Sequence, residues 1–128
     1  MLFRSATVSP DGKSLGGYYE PAGNAANTRP AAAVMSLDGS APLRALGTLV
    51  AASNSGLLTW SRDGTSIIAT TSERFNLWSY DVAGGAPRKL TDLAGEIFIR
   101  GTLAPDGRHI VAARGTFQRD VYAVTDVK

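Results

Sequence analysis

Apolar and polar positions along the chain fall into short runs of strand-favouring residues, each closed by turn residues. Ile67-Ile68-Ala69-Thr70-Thr71 is rich in β-branched residues, and Ile110-Val111-Ala112-Ala113 and Ala33-Val34-Met35-Ser36-Leu37 have the same apolar character. Leu77-Trp78-Ser79-Tyr80 and Val121-Tyr122-Ala123-Val124 add aromatic residues at strand positions. No window sustains the i, i+3, i+4, i+7 spacing of an amphipathic helix. Ala22 to Ala33 is alanine-rich, but Pro21, Gly23 and Pro30 break it, so it reads as loop. The pattern predicts an all-β chain with strands near Ser5–Ser9, Leu15–Glu20, Ala33–Leu37, Leu43–Leu46, Leu57–Ser61, Ile67–Thr71, Leu77–Tyr80, Arg88–Thr91, Ile97–Leu103, His109–Ala113 and Val121–Val124.

The turns repeat. Ser9-Pro10-Asp11-Gly12-Lys13, Ser61-Arg62-Asp63-Gly64-Thr65 and Ala104-Pro105-Asp106-Gly107-Arg108 share their Asp-Gly pair. Proline presets φ for the second position of a type I turn, and glycine takes the left-handed conformation that returns the chain into the next strand. Asp11, Gly12, Asp63, Gly64, Asp106 and Gly107 are therefore read as structural. Asp11 and Asp63 are 52 residues apart, and Asp63 and Asp106 are 43 apart. Ser40-Ala41-Pro42 matches Gly85-Ala86-Pro87 at an offset of 45, and the seven extra residues of the first unit fall in the loop Pro21 to Pro30. Four strands per unit of this length predict a partial β-propeller, built as four-stranded antiparallel meanders. The blades are expected at about 3–47, 48–92 and 93–128, as one domain over 1–128, with the last blade three-stranded.

Two segments carry a resemblance. The Ser-Pro-Asp-Gly-Lys turn, a β-branched strand, and then Asn76-Leu77-Trp78-Ser79-Tyr80-Asp81-Val82-Ala83-Gly84-Gly85-Ala86-Pro87-Arg88-Lys89-Leu90-Thr91 resemble the TolB-like, WD-repeat-like propeller repeat. The ending, from Ala113-Arg114-Gly115-Thr116 to Asp120-Val121-Tyr122-Ala123-Val124, resembles the final blade of propellers at the C-terminus of bacterial membrane-associated serine/threonine kinases. The resemblance implies a module of a larger TolB-like or kinase-associated parent, with a periplasmic or extracytoplasmic location as one option. It supplies no catalytic or binding residue.

Composition narrows the chemistry. The chain has 128 residues, of which 13 basic and 11 acidic are scattered along it, and no basic run offers itself to a phosphate backbone. Nucleic-acid binding is not expected. There is no cysteine, hence no disulfide, thiol nucleophile or zinc ribbon. Met1-Leu2-Phe3-Arg4-Ser5 lacks the apolar core of a signal peptide, and no stretch reaches the ~20 apolar residues of a membrane-spanning helix. The compartment is left open.

Catalytic candidates are few. His109 is the single histidine, and the turns align it with Ser14 and Ser66, beside the apolar Leu15, Ile67 and Ile110. That is the outward position of a half-buried strand, so a surface histidine is expected rather than a general base. No Gly-x-Ser-x-Gly supports a serine triad, no Gly-x-x-x-x-Gly-Lys supports a phosphate loop, and the turn aspartates lie too far apart for a calcium loop. Trp60, Trp78, Tyr80, Tyr122 and Phe98 are assigned to packing. No catalytic activity, cofactor or metal is expected of this chain.

One end of the predicted blades is uniform, formed by the Asp-Gly turns, Asp38-Gly39 and Gly84-Gly85. The other carries irregular loops, where function usually resides. Asn27, Arg29, Arg74, Phe117 and Arg119 are the expected contacts there, since arginine and aromatic residues anchor interfaces. The expected function is non-catalytic binding or sensing of a protein or peptide. The alternative is the propeller of a prolyl-oligopeptidase-type peptidase, gating a separate hydrolase domain. Three blades leave open faces and an unpaired edge beside Val121–Val124, so a truncated or split propeller that self-associates or joins further blades is expected.

Overall fold

The computed structural model describes residues 2–20, 31–50, 58–70 and 76–116. Among them the chain is all-β and holds no helix. Strands β1 (Leu2–Val8), β2 (Ser14–Glu20), β3 (Ala31–Ser36) and β4 (Arg44–Val50) form one sheet in chain order. Strands β5 (Leu58–Trp60), β6 (Ser66–Thr70), β7 (Leu77–Asp81) and β8 (Arg88–Lys89) form a second, and β9 (Ile97–Leu103) and β10 (Ile110–Gly115) a third. Every pairing is antiparallel, which gives two complete meanders and the first hairpin of another. This is a partial β-propeller. The strand expected at Val121–Val124 lies outside the described residues.

Strand period 2 sets the two faces of each sheet. In β6, Ile67 and Ala69 are fully buried toward the first sheet, whereas Ile68 packs the other way, against Leu77 and Phe98. The core between the first two sheets joins Tyr18, Ala32, Val34 and Leu46 to Trp60, Ile67, Ala69 and Tyr80. The Trp60 indole N–H donates to the Thr7 carbonyl at 3.0 Å, so the large ring is buried with its one polar atom satisfied. Gly16 permits the close approach of the sheets. A Cβ there would lie 2.7 Å from Ile67 Cδ1 and 3.1 Å from the Trp60 ring.

Two strands differ from the expectation in an instructive way. The fourth strand of the second unit, expected over Arg88–Thr91, pairs only at Arg88 and Lys89. Beyond it the Leu90 N–H still reaches the Leu77 carbonyl, but Thr91 replaces a backbone acceptor with its hydroxyl, which receives the Leu77 N–H at 3.0 Å. Asn76 Oδ1 then accepts from Thr91 Oγ1 and the Leu93 N–H, and Asn76 Nδ2 donates to the Leu93 carbonyl. A side-chain clasp thus does what ladder bonds were expected to do. The first strand begins earlier than Ser5, because a register shift between Arg4 and Thr7, with Ser5 at φ 53°, accommodates an irregularity inside β1.

Candidate binding surface

The uniform end is built by side-chain hydrogen bonds local to each turn. Ser9 Oγ donates to Asp11 Oδ1 at 2.6 Å and accepts the Ser14 N–H at 2.9 Å, while the Lys13 N–H also reaches Asp11 Oδ1. Ser61, Asp63, Thr65 and Ser66 repeat the arrangement at 2.6 to 3.0 Å, and the Thr65 hydroxyl adds one more donor to Asp63. In the third turn Ala104 supplies no hydroxyl. Asp106 Oδ1 takes the His109 N–H itself, beside that of Arg108. His109 Nδ1 lies against Asp106 Oδ2 on an exposed turn. The sequence places His109 at the start of a strand, whereas β10 begins one residue later and the imidazole belongs to the turn.

These donors lower the carboxyl pKa values. The Ser61 hydroxyl, then the backbone and hydroxyl of Thr65, hold Asp63 down at about 2. Asp11 is lowered chiefly by the Ser9 hydroxyl, and Asp106 chiefly by the Arg108 N–H with the His109 side chain next.

Successive turns also touch. Pro10 Cδ lies 3.6 Å from where a Cβ on Gly64 would stand. Arg62, the corresponding residue of the second turn, lies across Gly107, where a Cβ would come 2.6 Å from Arg62 Cβ, and its Nη1 donates to the Asp106 carbonyl at 2.8 Å. Gly64 and Gly107 have φ of 72° and 68°, so both turns require glycine for conformation, and Gly107 requires it for space as well. Arg62 in the proline position is thus an inter-sheet clamp, which nothing in its own turn signals.

A groove of about 400 Å³ lies between the second and third sheets. Its apolar lining is Leu77, Leu90, Leu93, Phe98, Ile110 and Ala112, with Thr91, Arg108 and Arg114 as its polar members. A register shift between Ala113 and Arg114 sets Arg114 opposite Phe98, and the guanidinium sits 5.5 Å from the ring centroid. Arg114 Nη2 donates to the Glu96 carbonyl at 3.1 Å, and Nη1 is 3.7 Å from Glu96 Oε2. Leu90 and Leu93 are exposed although large and apolar. With Arg114 engaged by Glu96, Arg108 beside exposed leucine and a buried phenylalanine can receive apolar side chains together with a carboxylate.

The five contacts expected from the sequence, Asn27, Arg29, Arg74, Phe117 and Arg119, all lie outside the described residues. The groove draws on Leu93, from the connection between β8 and β9, and reaches Arg108 beside the uniform turn. Its residues are unmarked in sequence because they come from five separate segments. Among the described residues no group of three or more His, Asp or Glu side chains stands ready to hold a metal, and no helix is long and apolar enough to cross a membrane. No protein-family model matches the chain, and no curated protein matches it.

Proposed function

We propose that the chain is a non-catalytic propeller module of the TolB-like repeat kind that binds a protein or peptide. The observation that carries this reading is the groove between the second and third sheets. Its apolar walls end in Arg108 and Arg114, so an extended segment with leucine- or phenylalanine-like side chains and a neighbouring carboxylate fits its chemistry. The single histidine argues against a serine triad because Asp106, the aspartate at its Nδ1, stands exposed on a turn, whereas a triad aspartate is buried.

Selection of peptides from a random display library on the immobilised chain tests the proposal. Enriched peptides should combine apolar residues with Asp, Glu or a free C-terminus. Leu93→Asp and Arg108→Glu should each weaken their binding by about tenfold or more, as loss of an anchor or a charge-assisted contact does. Peptides that bind both variants as tightly as the parent, or a library that yields none, would sink the assignment of this groove.

A further inference from the structure

Among the described residues the two sheet-to-sheet contacts obey one rule, and by that rule each end of the stack presents an exposed valine. In the second strand of each sheet, one residue points back to the preceding sheet and the next points forward to the following one. Ile67 points back to the first sheet and Ile68 forward to the third. Gly16 points forward onto Ile67 and Trp60. Ile110 points back into the cluster of Leu77 and Phe98, which leaves Val111 as the forward residue of the third sheet. Val111 is 65% exposed. On the back of the first sheet, Val8 pairs with Leu15 in the ladder and is 52% exposed.

The turns carry the same direction. Pro10 leans toward Gly64 and Arg62 toward Gly107, each onto the next turn in chain order. Pro105 occupies the leaning position of the third turn and is exposed. Gly12 occupies the receiving position of the first, with φ 74° and nothing within 4 Å of its would-be Cβ. Each end therefore offers the half-contact that the other end lacks.

We propose that a second copy of this chain seats the back of its first sheet on the forward face of the third, with Pro105 of one copy over Gly12 of the other. The contact is head-to-tail, continues an interface type formed twice within the chain, and stands independently of the peptide groove, which lies on the opposite face of β10. Two copies together bring six sheets, within the roughly four to eight blades of closed propellers.

Sedimentation of the chain over a range of concentrations tests this. The parent should exceed 13.4 kDa as concentration rises. Val111→Arg blocks the forward face and Val8→Arg the back face, so each alone should associate about tenfold or more weakly. Mixed together they should recombine as one-to-one pairs, because each retains the face that the other has lost. The chain has no cysteine, so Pro105→Cys and Lys13→Cys copies joined by a short bis-maleimide report the turn contact directly. Pro10→Cys with Thr65→Cys in one chain is the internal standard for that reach. A parent that stays at 13.4 kDa, or association that survives Val111→Arg, overturns the proposal. Should either arginine variant fail to fold, absence of the intermolecular cross-link while the internal one forms overturns it equally.

Discussion

Asp63 accepts three hydrogen bonds from its own turn, from the Ser61 hydroxyl and from the backbone and hydroxyl of Thr65. Its pKa falls from 3.8 to about 2 as a result, and those of Asp11 and Asp106 fall in the same direction. A carboxyl depressed on folding stabilises the fold above its unfolded value, and that contribution is lost as pH drops through the folded one. Thermal melts should therefore move downward between about pH 4 and about pH 2, and Asp63→Asn should shallow the slope across that window. The third turn offers a complementary gain. Ala104→Ser restores the hydroxyl that Ser9 and Ser61 supply, and should raise the midpoint of a denaturant titration. A loss of stability instead would mean that the Asp106 bond to the His109 N–H cannot be improved upon.

Sheet spacing depends on residues that look unremarkable in the sequence. Gly16→Ala asks Ile67 Cδ1 and the Trp60 ring to retreat inside a filled core, so a cost of about 1–3 kcal/mol is expected by chemical denaturation. Ile67→Val removes the nearer atom and should recover part of that cost in the double variant. Strictly additive effects would show that the backbone, not the methyl group, yields. These elements also show what was legible in advance. The Asp-Gly turns and the strands on either side could be read because their bonds span two to five residues, and alternation marks Ile67 and Tyr80 as inward. Arg62 could not be read as a clamp, since its partner Gly107 lies in another turn. Nor could the groove, because a register shift places Arg114 over Phe98, or the end of β8, because a threonine hydroxyl takes over from the ladder.

At the scale of the whole molecule, the two core clusters among the described residues each join sequential sheets. Sheet one meets sheet two through Tyr18, Trp60 and Tyr80, and sheet two meets sheet three through Leu77 and Phe98. Such a stack gains stability from each sheet plus each junction, as linear repeat arrays do. The middle sheet has a neighbour on both faces, which gives it a distinct rank in amide exchange. The ladder N–H groups of Ile67, Ala69 and Tyr80 should trade hydrogen for deuterium more slowly than those of β1 or β10. Dilution separates this ranking from the head-to-tail contact. Protection at Val8 and Val111 should climb with protein concentration, while that at Ile67 stays level, so exchange rates alone would show where one chain stops and the next begins.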